Sequence, residues 1–599
     1  MMTDIPLRTP LRPLGRILSA RAKGEDTNRI ERENIHKRHE SEKEQTRIRA
    51  QGRLLVLGIV FIVLYVAIAL RVALLSASEP TEPRSQQAGA SIVAQRADIV
   101  DRRGRILATN MDTHSLYVET AHLVDPTGTA DALAKVFLDL DKKRLYSDFT
   151  GKRKFLWIKR KMSPEQMQAA HDIGDPGLRF GPREMRLYPN GRLAAHVLGG
   201  ASYGREGVHA AEVVGVAGIE KTFDERLRDP GQSGQALQLS IDLSVQAAIE
   251  QVLYGGMKLL NAKGAAAVLM DVHTGELVSL VSLPDFDPNN RPNLPTKGQA
   301  ADSPLFNRAV QGVYELGSTF KIFAVAQAME LGLVAPETVI DIRGPIRWGK
   351  YRISDFHNYG KELSVEDIII KSSNIGTARI STMIGAERQE NFLGSLGFLE
   401  PISLEMVEAG GGKPLVPKKW SELSTMTISY GHGLSATPLH LATGYAAIAN
   451  GGRKIVPTLI HKSDPKEEKR VLSENVAAAS LDMLRRVVTE GTASMGEVTG
   501  YGVAGKTGTA DKPSPKGNYE KEKVIATFAS IFPAYDPKYV LIVSFDEAED
   551  RTGSEARRTA GWTAVPVAAE IIGRIAPLLG LAPQIEKPLG NDITQASNN

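Results

Sequence analysis

Residues 54–70 form a run of seventeen uncharged residues, made only of Leu, Val, Ile, Ala, Phe, Tyr and one Gly. Arg71 interrupts the run, and Val72-Ala73-Leu74-Leu75 extends it. With the arginine snorkelling toward water, a helix over residues 54–75 spans a hydrocarbon core of ~30 Å. A buried helix of a soluble protein would carry a polar stripe, and this one has none. A cleaved signal peptide is the rival, because Ser76-Ala77-Ser78 is small. Its apolar part nevertheless exceeds the ~7–15 residues of such signals, and its leader is long, which favours an uncleaved anchor. Arg47, Arg49 and Arg53 crowd the N-terminal side, and basic residues are sparse downstream until Arg96. The positive-inside rule then places the N-terminus in the cytoplasm and the chain after residue ~76 outside.

Such an anchor divides the chain. Residues 1–53, rich in Arg, Lys and Glu, are expected to be disordered or loosely helical. Residues 79–95 read as a linker. The whole chain has 599 residues, too many for one core, so two or more folded units are expected. A net charge of +4 over this length is no nucleic-acid signature. The absence of cysteine excludes disulfides, cysteine nucleophiles and thiolate metal sites. No metal-ligand spacing emerges, and no cofactor is expected.

Residues 96–108 have strand–turn–strand character, with Arg103-Gly104 as the turn. Up to about Asp229 the chain reads as a structural module, in which His196 is a hydrogen-bonded packing residue rather than a ligand. A larger unit begins near Gln238. Two strands joined by Thr274-Gly275 are expected over residues 265–280, and two more over residues 525–532 and 539–545. Strands at both ends of a helical middle give an α+β unit: an antiparallel sheet with helices packed on it. The tail after Pro583 is polar and is expected to fray.

Inside that unit lies Tyr314-Glu315-Leu316-Gly317-Ser318-Thr319-Phe320-Lys321, at the head of an apolar helix expected over residues 320–331. Residues i and i+3 of a helix lie one above the other, so the Ser318 hydroxyl and the Lys321 amine can meet. A hydroxyl becomes a useful nucleophile when a base takes its proton, and a lysine serves only when neutral, a state that burial favours. Alone, Ser-x-x-Lys reads more simply as a helix cap beside a solvated charge. Ser372-Ser373-Asn374 and Lys506-Thr507-Gly508-Thr509 follow in order. Singly, these too have plain readings: Ser372 and Asn374 as helix caps, and Lys506-Thr507-Gly508 as strand and turn. Together the three elements are the signature of penicillin-recognising serine enzymes. Residues 500–507 also satisfy the P-loop pattern, but a strand end and loop follow where a P-loop needs a helix.

The three motifs closely resemble those of class B penicillin-binding proteins. Further stretches are similar to that family: residues 96–108, 186–189, 215–224, 285–289 and 307–321. Tyr430-Gly431-His432-Gly433-Leu434-Ser435-Ala436-Thr437-Pro438-Leu439 resembles the cell-division branch. Leu316, His440 and Ser530 depart from residues usual there (Pro, Gln and Gly). The resemblance implies a cytoplasmic tail (1–53), one transmembrane helix (54–75), an elongated mixed α/β pedestal (76–235), a transpeptidase domain with helices on both sides of its sheet (236–582) and a C-terminal tail (583–599). It further implies an inner-membrane protein with a periplasmic catalytic domain that cross-links stem peptides ending in D-Ala-D-Ala and is inhibited by β-lactams. The implied roles are Ser318 as nucleophile, Lys321 as acylation base, Ser372 as proton relay and Asn374 as a hold on the substrate backbone. Lys506, Thr507 and Thr509 would bind the terminal carboxylate, and Gly508 would let the strand approach the substrate. The oxyanion would rest on the N–H groups of Ser318 and Thr509. A membrane glycosyltransferase and other division proteins are the implied partners. An elongation transpeptidase, a carboxypeptidase or β-lactamase, and a non-enzymatic scaffold of the division machinery are the competing readings.

Overall fold

The computed structural model describes residues 14–77, 96–206, 211–229, 231, 235–349, 351–462, 467–513 and 519–584. The expected linker and most of the C-terminal tail lie outside them. The chain divides into two units, residues 1–86 and 87–599.

In the first unit a helix of 51 residues, Thr27–Ala77, follows a short one, Leu14–Ala22. Within it, Leu54–Val72 is apolar enough to cross a membrane, with a mean hydropathy of 2.8 and no part of it buried. At ~1.5 Å per residue its length matches a hydrocarbon core. Of the two readings of the N-terminal tail the helical one holds over residues 27–53, which continue the same helix. Glu, Lys, Arg and Gln are strong helix formers even without an apolar stripe. Pairs such as Glu33–Lys37, at 2.9 Å and one turn apart, add to this.

The second unit is built on a five-stranded antiparallel sheet. Its strands are β1 (Gly264–Asp271), β2 (Leu277–Leu283), β3 (Ala504–Pro513), β4 (Tyr519–Phe532) and β5 (Tyr539–Asp546), in spatial order β3-β4-β5-β1-β2. The strand pairs anticipated from sequence are all here, and Gly275 turns the β1–β2 connection at φ +77°. β2 is buried along its whole length, so both faces are covered. Helices α1 (Leu243–Leu259) and α5 (Ala564–Leu578) meet over one side. A Cβ on Gly256 of α1 would lie 2.9 Å from Val567 of α5 and 3.2 Å from Phe545 of β5. Between α1 and α5 in the chain come α2 (Lys321–Glu330), α3 (Asn374–Ile384) and α4 (Pro438–Ala449). All twelve residues of α4 are buried, and Tyr445 sets its ring edge-on to Phe323 of α2, 5.5 Å between centroids.

The preceding module has its own small core, including Leu116, Val118, Leu133, Phe137 and Phe149. Its base joins the larger core through Ile99, Leu107, Tyr188, Val197 and Ile219. As expected, Ile99–Val100 pairs antiparallel with Ile106–Glu119 around Gly104, whose φ is +79°. Three of the stretches singled out by resemblance converge on one buried carboxylate. Glu220 accepts from Arg96 Nε at 2.7 Å, Arg186 Nε at 2.6 Å and the Tyr188 hydroxyl at 3.2 Å, while Asp224 takes a second guanidinium nitrogen of Arg96 at 2.7 Å. The 285–289 stretch clamps this base to the larger unit, since the Asn289 amide bonds both the N–H and the C=O of Tyr188 at 2.9 Å. His196 is the packing residue expected: its Nε2 lies 3.3 Å from Pro284 O, and burial pushes its pKa down to about 4.

Candidate active site

Ser318 sits on a 3-10 turn, Gly317–Phe320, that leads into α2. The helix therefore starts one residue later than expected. A 3-10 turn eclipses positions i and i+3, so Ser318 and Lys321 still share a face. The turn is held by packing: Thr319 Oγ1 donates to Leu316 O at 2.8 Å, and Tyr445 donates to Thr319 O at 2.9 Å. Gly317 has φ +57°, and a Cβ there would stand 2.8 Å from Thr509 O, so β3 lies directly against the turn. Gly508 serves the same contact, because its Cβ would meet Leu316 O at 2.3 Å. Its lack of a side chain admits the nucleophile turn, where sequence reasoning had assigned it to the substrate.

Lys321 opens α2 and is wholly buried, as is Lys506 on β3. Both amines converge on one hydroxyl: Lys321 Nζ and Lys506 Nζ each lie 3.0 Å from Ser372 Oγ. Lys321 also donates to Ser372 O, and Lys506 to Thr507 O at 3.3 Å. No hydrogen bond joins Ser318 to Lys321 among the described residues. The amine instead donates to Ser372. Burial, and then the Lys506 charge, hold the Lys321 amine well below the ordinary lysine range, while Asp355 opposes them. Burial brings Lys506 down to about 7.

Ser372 adopts a left-handed φ of +62°, a conformation rare for serine and one that collects at functional sites. The helix-cap reading proves half right, with the cap on the middle residue. Ser373 Oγ accepts from Gly376 N at 3.0 Å at the head of α3, leaving Ser372 free to face the lysines. Asn374 is half-buried and donates to Ser354 O at 3.1 Å. Thr507 is buried against the hydroxyl of Thr492 at 2.7 Å, and Thr509 is half-buried, accepting from Ala560 N at 3.0 Å. Because Thr509 accepts there, its own proton remains to be donated. Gly505-Lys506-Thr507 lies inside β3, with another strand following, so the P-loop pattern has no P-loop geometry.

The three motifs thus meet around one bridging hydroxyl, on a sheet whose first strand in the chain begins at Gly264. Residues 265–572 match the family model of the penicillin binding protein transpeptidase domain, and residues 91–239 that of the penicillin-binding protein dimerisation domain. The chain belongs to the penicillin-binding protein transpeptidase family. It is 35% identical over 503 residues to the probable peptidoglycan D,D-transpeptidase FtsI of Caulobacter vibrioides (strain NA1000 / CB15N), with 82% of each chain covered. With the peptidoglycan D,D-transpeptidase FtsI of Escherichia coli (strain K12) the identity is 27% over 522 residues, covering 82% of this chain and 85% of the other. Among solved structures, penicillin binding protein 3 from Mycobacterium tuberculosis, complexed with aztreonam, matches at a TM-score of 0.60 and 26% identity, covering 82% of this chain and 97% of that one. Within this penicillin-binding protein, the three departures from family habit stay clear of the bridging hydroxyl. Leu316 is buried behind the turn, His440 bonds Thr437 at the start of α4, and Ser530 donates to Leu541 O on the neighbouring strand.

Sequence reasoning missed Asp355. Its carboxylate accepts from Ser373 Oγ at 2.7 Å, Asn374 N at 2.6 Å and Ile375 N at 2.9 Å. The only signal for it in the sequence is an acid in a polar loop before the Ser-Ser-Asn motif.

Proposed function

We propose that this chain is the septal peptidoglycan D,D-transpeptidase of its cell, acting through an acyl-enzyme on Ser318. The observation that carries this reading is the pair of buried amines sharing Ser372 Oγ. A neutral Lys321 takes the Ser318 proton as Oγ attacks the penultimate D-Ala carbonyl of a stem peptide. Ser372 passes that proton to the departing amine, and the terminal D-Ala leaves. The amine of a second stem peptide then attacks the ester. Its lost proton returns through Lys321 to Ser318, and an amide cross-link remains. Lys506, in its charged form, binds the terminal carboxylate together with Thr507 and Thr509. Asn374 holds the substrate backbone with the amide hydrogen that Ser354 leaves unused. The N–H groups of Ser318 and Thr509 receive the oxyanion, a placement supported by the contact of Gly317 with the Thr509 backbone. β-Lactams acylate the same serine because their strained amide takes the place of the scissile one.

Residues 54–75 anchor the chain in the inner membrane with the N-terminus cytoplasmic, a reading supported by the bare apolar segment and the arginines before it. Residues 76–235 then form a periplasmic pedestal and residues 236–582 the transpeptidase domain. A membrane glycosyltransferase that supplies the glycan strands, and other division proteins, are its partners. In the test, labelled penicillin attaches to the wild-type chain. Ser318→Ala, with an unchanged melting temperature, takes up none and fails to support septation. Attachment to the alanine variant would refute the assignment.

A further inference from the structure

Two residues of the Ser372-Ser373-Asn374 motif, Ser373 and Asn374, are bonded to one short loop, Ser354-Asp355. Asn374 Nδ2 donates to Ser354 O, and the two oxygens of Asp355 take the Ser373 hydroxyl and the N–H groups of Asn374 and Ile375. These last two N–H groups belong to the first turn of α3, where a carboxylate is favoured. Ser372 immediately precedes this tethered segment, and on its other side the chain comes from helix Val365–Ile370. Its left-handed backbone persists only if both sides are fixed. The Asp355 tether is one of those fixings.

The same carboxylate bears on the proton chemistry. Lys506 from β3 and Asp355 from the 354–355 loop are the charged groups that act on Lys321, and their effects are opposed. Asp355 makes no hydrogen bond to the amine among the described residues, so its influence is through space. We propose that Asp355 is a positioning residue of the transpeptidase site: by tethering Ser373 and the head of α3 it holds the Ser372 hydroxyl between the two lysine amines. The inference rests on the reading of Ser318 as nucleophile and Lys321 as its base.

The test uses the full chain in detergent, with Asp355→Asn and Asp355→Glu beside the wild type. The readouts are the second-order rate of acylation by a fluorescent penicillin from pH 5 to 9 and the melting temperature. Acylation needs neutral Lys321, so its rate rises with pH through the pKa of that amine. Removing an anion lowers that pKa, and the rising limb of Asp355→Asn moves to lower pH. Its plateau falls roughly 10-fold or more as Ser372 loses its place. Asp355→Glu keeps the charge and the position of the limb but, with the carboxylate displaced, acylates more slowly. If Asp355→Asn does not fold, the glutamate variant decides, and a wild-type rate there overturns the proposal. An Asp355→Asn variant with a wild-type plateau overturns it as well. A wild-type chain that takes up no label overturns the reading of Ser318 itself, and the inference with it.

Discussion

The molecule buries two clusters of charge and uses them in opposite ways. At the base of the pedestal two buried cations, Arg96 and Arg186, face two anions, Glu220 and Asp224, with the more exposed Arg228 also on Asp224, and every buried charge has an opposite partner. At the active site two lysines share a serine hydroxyl, and the carboxylate that acts on Lys321, Asp355, is committed to the head of α3. A matched cluster can stay ionised in the interior and serve as a clamp. An unmatched one lowers its cost only by giving up a proton. The difference explains why arginine, which keeps its proton, builds the first, and lysine, which releases it, builds the second.

Substitutions separate the two clusters. The largest effect is expected for Lys321→Met, which keeps the fold and lowers the rate of penicillin acylation by roughly 10²–10⁴-fold, the usual contribution of a positioned base. Stopped-flow acylation checks it, and a rate within threefold of wild type would remove Lys321 from the chemistry. Next is Glu220→Ala, which leaves the buried Arg186 guanidinium without its anion and Arg96 with Asp224 alone, and destabilises the second unit by about 3–5 kcal/mol. Urea unfolding measures it, and the acylation rate of the folded fraction should stay near wild type. The smallest is Ser373→Ala, which removes a helix cap at a cost of about 1 kcal/mol. Because Asp355 loses one of its three partners there, a modest fall in acylation should accompany the loss of stability.

The two regions also differed in how much of them the sequence disclosed. Ser318, Lys321, Ser372 and Lys506 were legible because the chemistry needs those residue types in that order, and the spacing of each motif is local. The strands of the large sheet were legible from their apolar runs and the Thr274-Gly275 turn. Asp355 was hidden because its partners lie about twenty residues onward and a lone acid in a loop has no periodicity to betray it. Gly508 was recognised as a close-approach residue, but what approaches it, the Leu316 carbonyl, comes from far away in the chain. The convergence of Arg96, Arg186 and Glu220 was invisible for the same reason. The helix through residues 27–53 was underestimated because its stability needs no apolar face, only good helix formers and i,i+4 pairs.

The account depends most on the protonation state of Lys321. The direct measurement is the pH dependence of benzylpenicillin acylation of the full chain, with the adduct mapped by mass spectrometry. The expected result is an adduct on Ser318 whose formation is already level well below pH ~10, where an ordinary lysine would titrate. A rate that climbs only around that ordinary value, or an adduct on another residue, would contradict it.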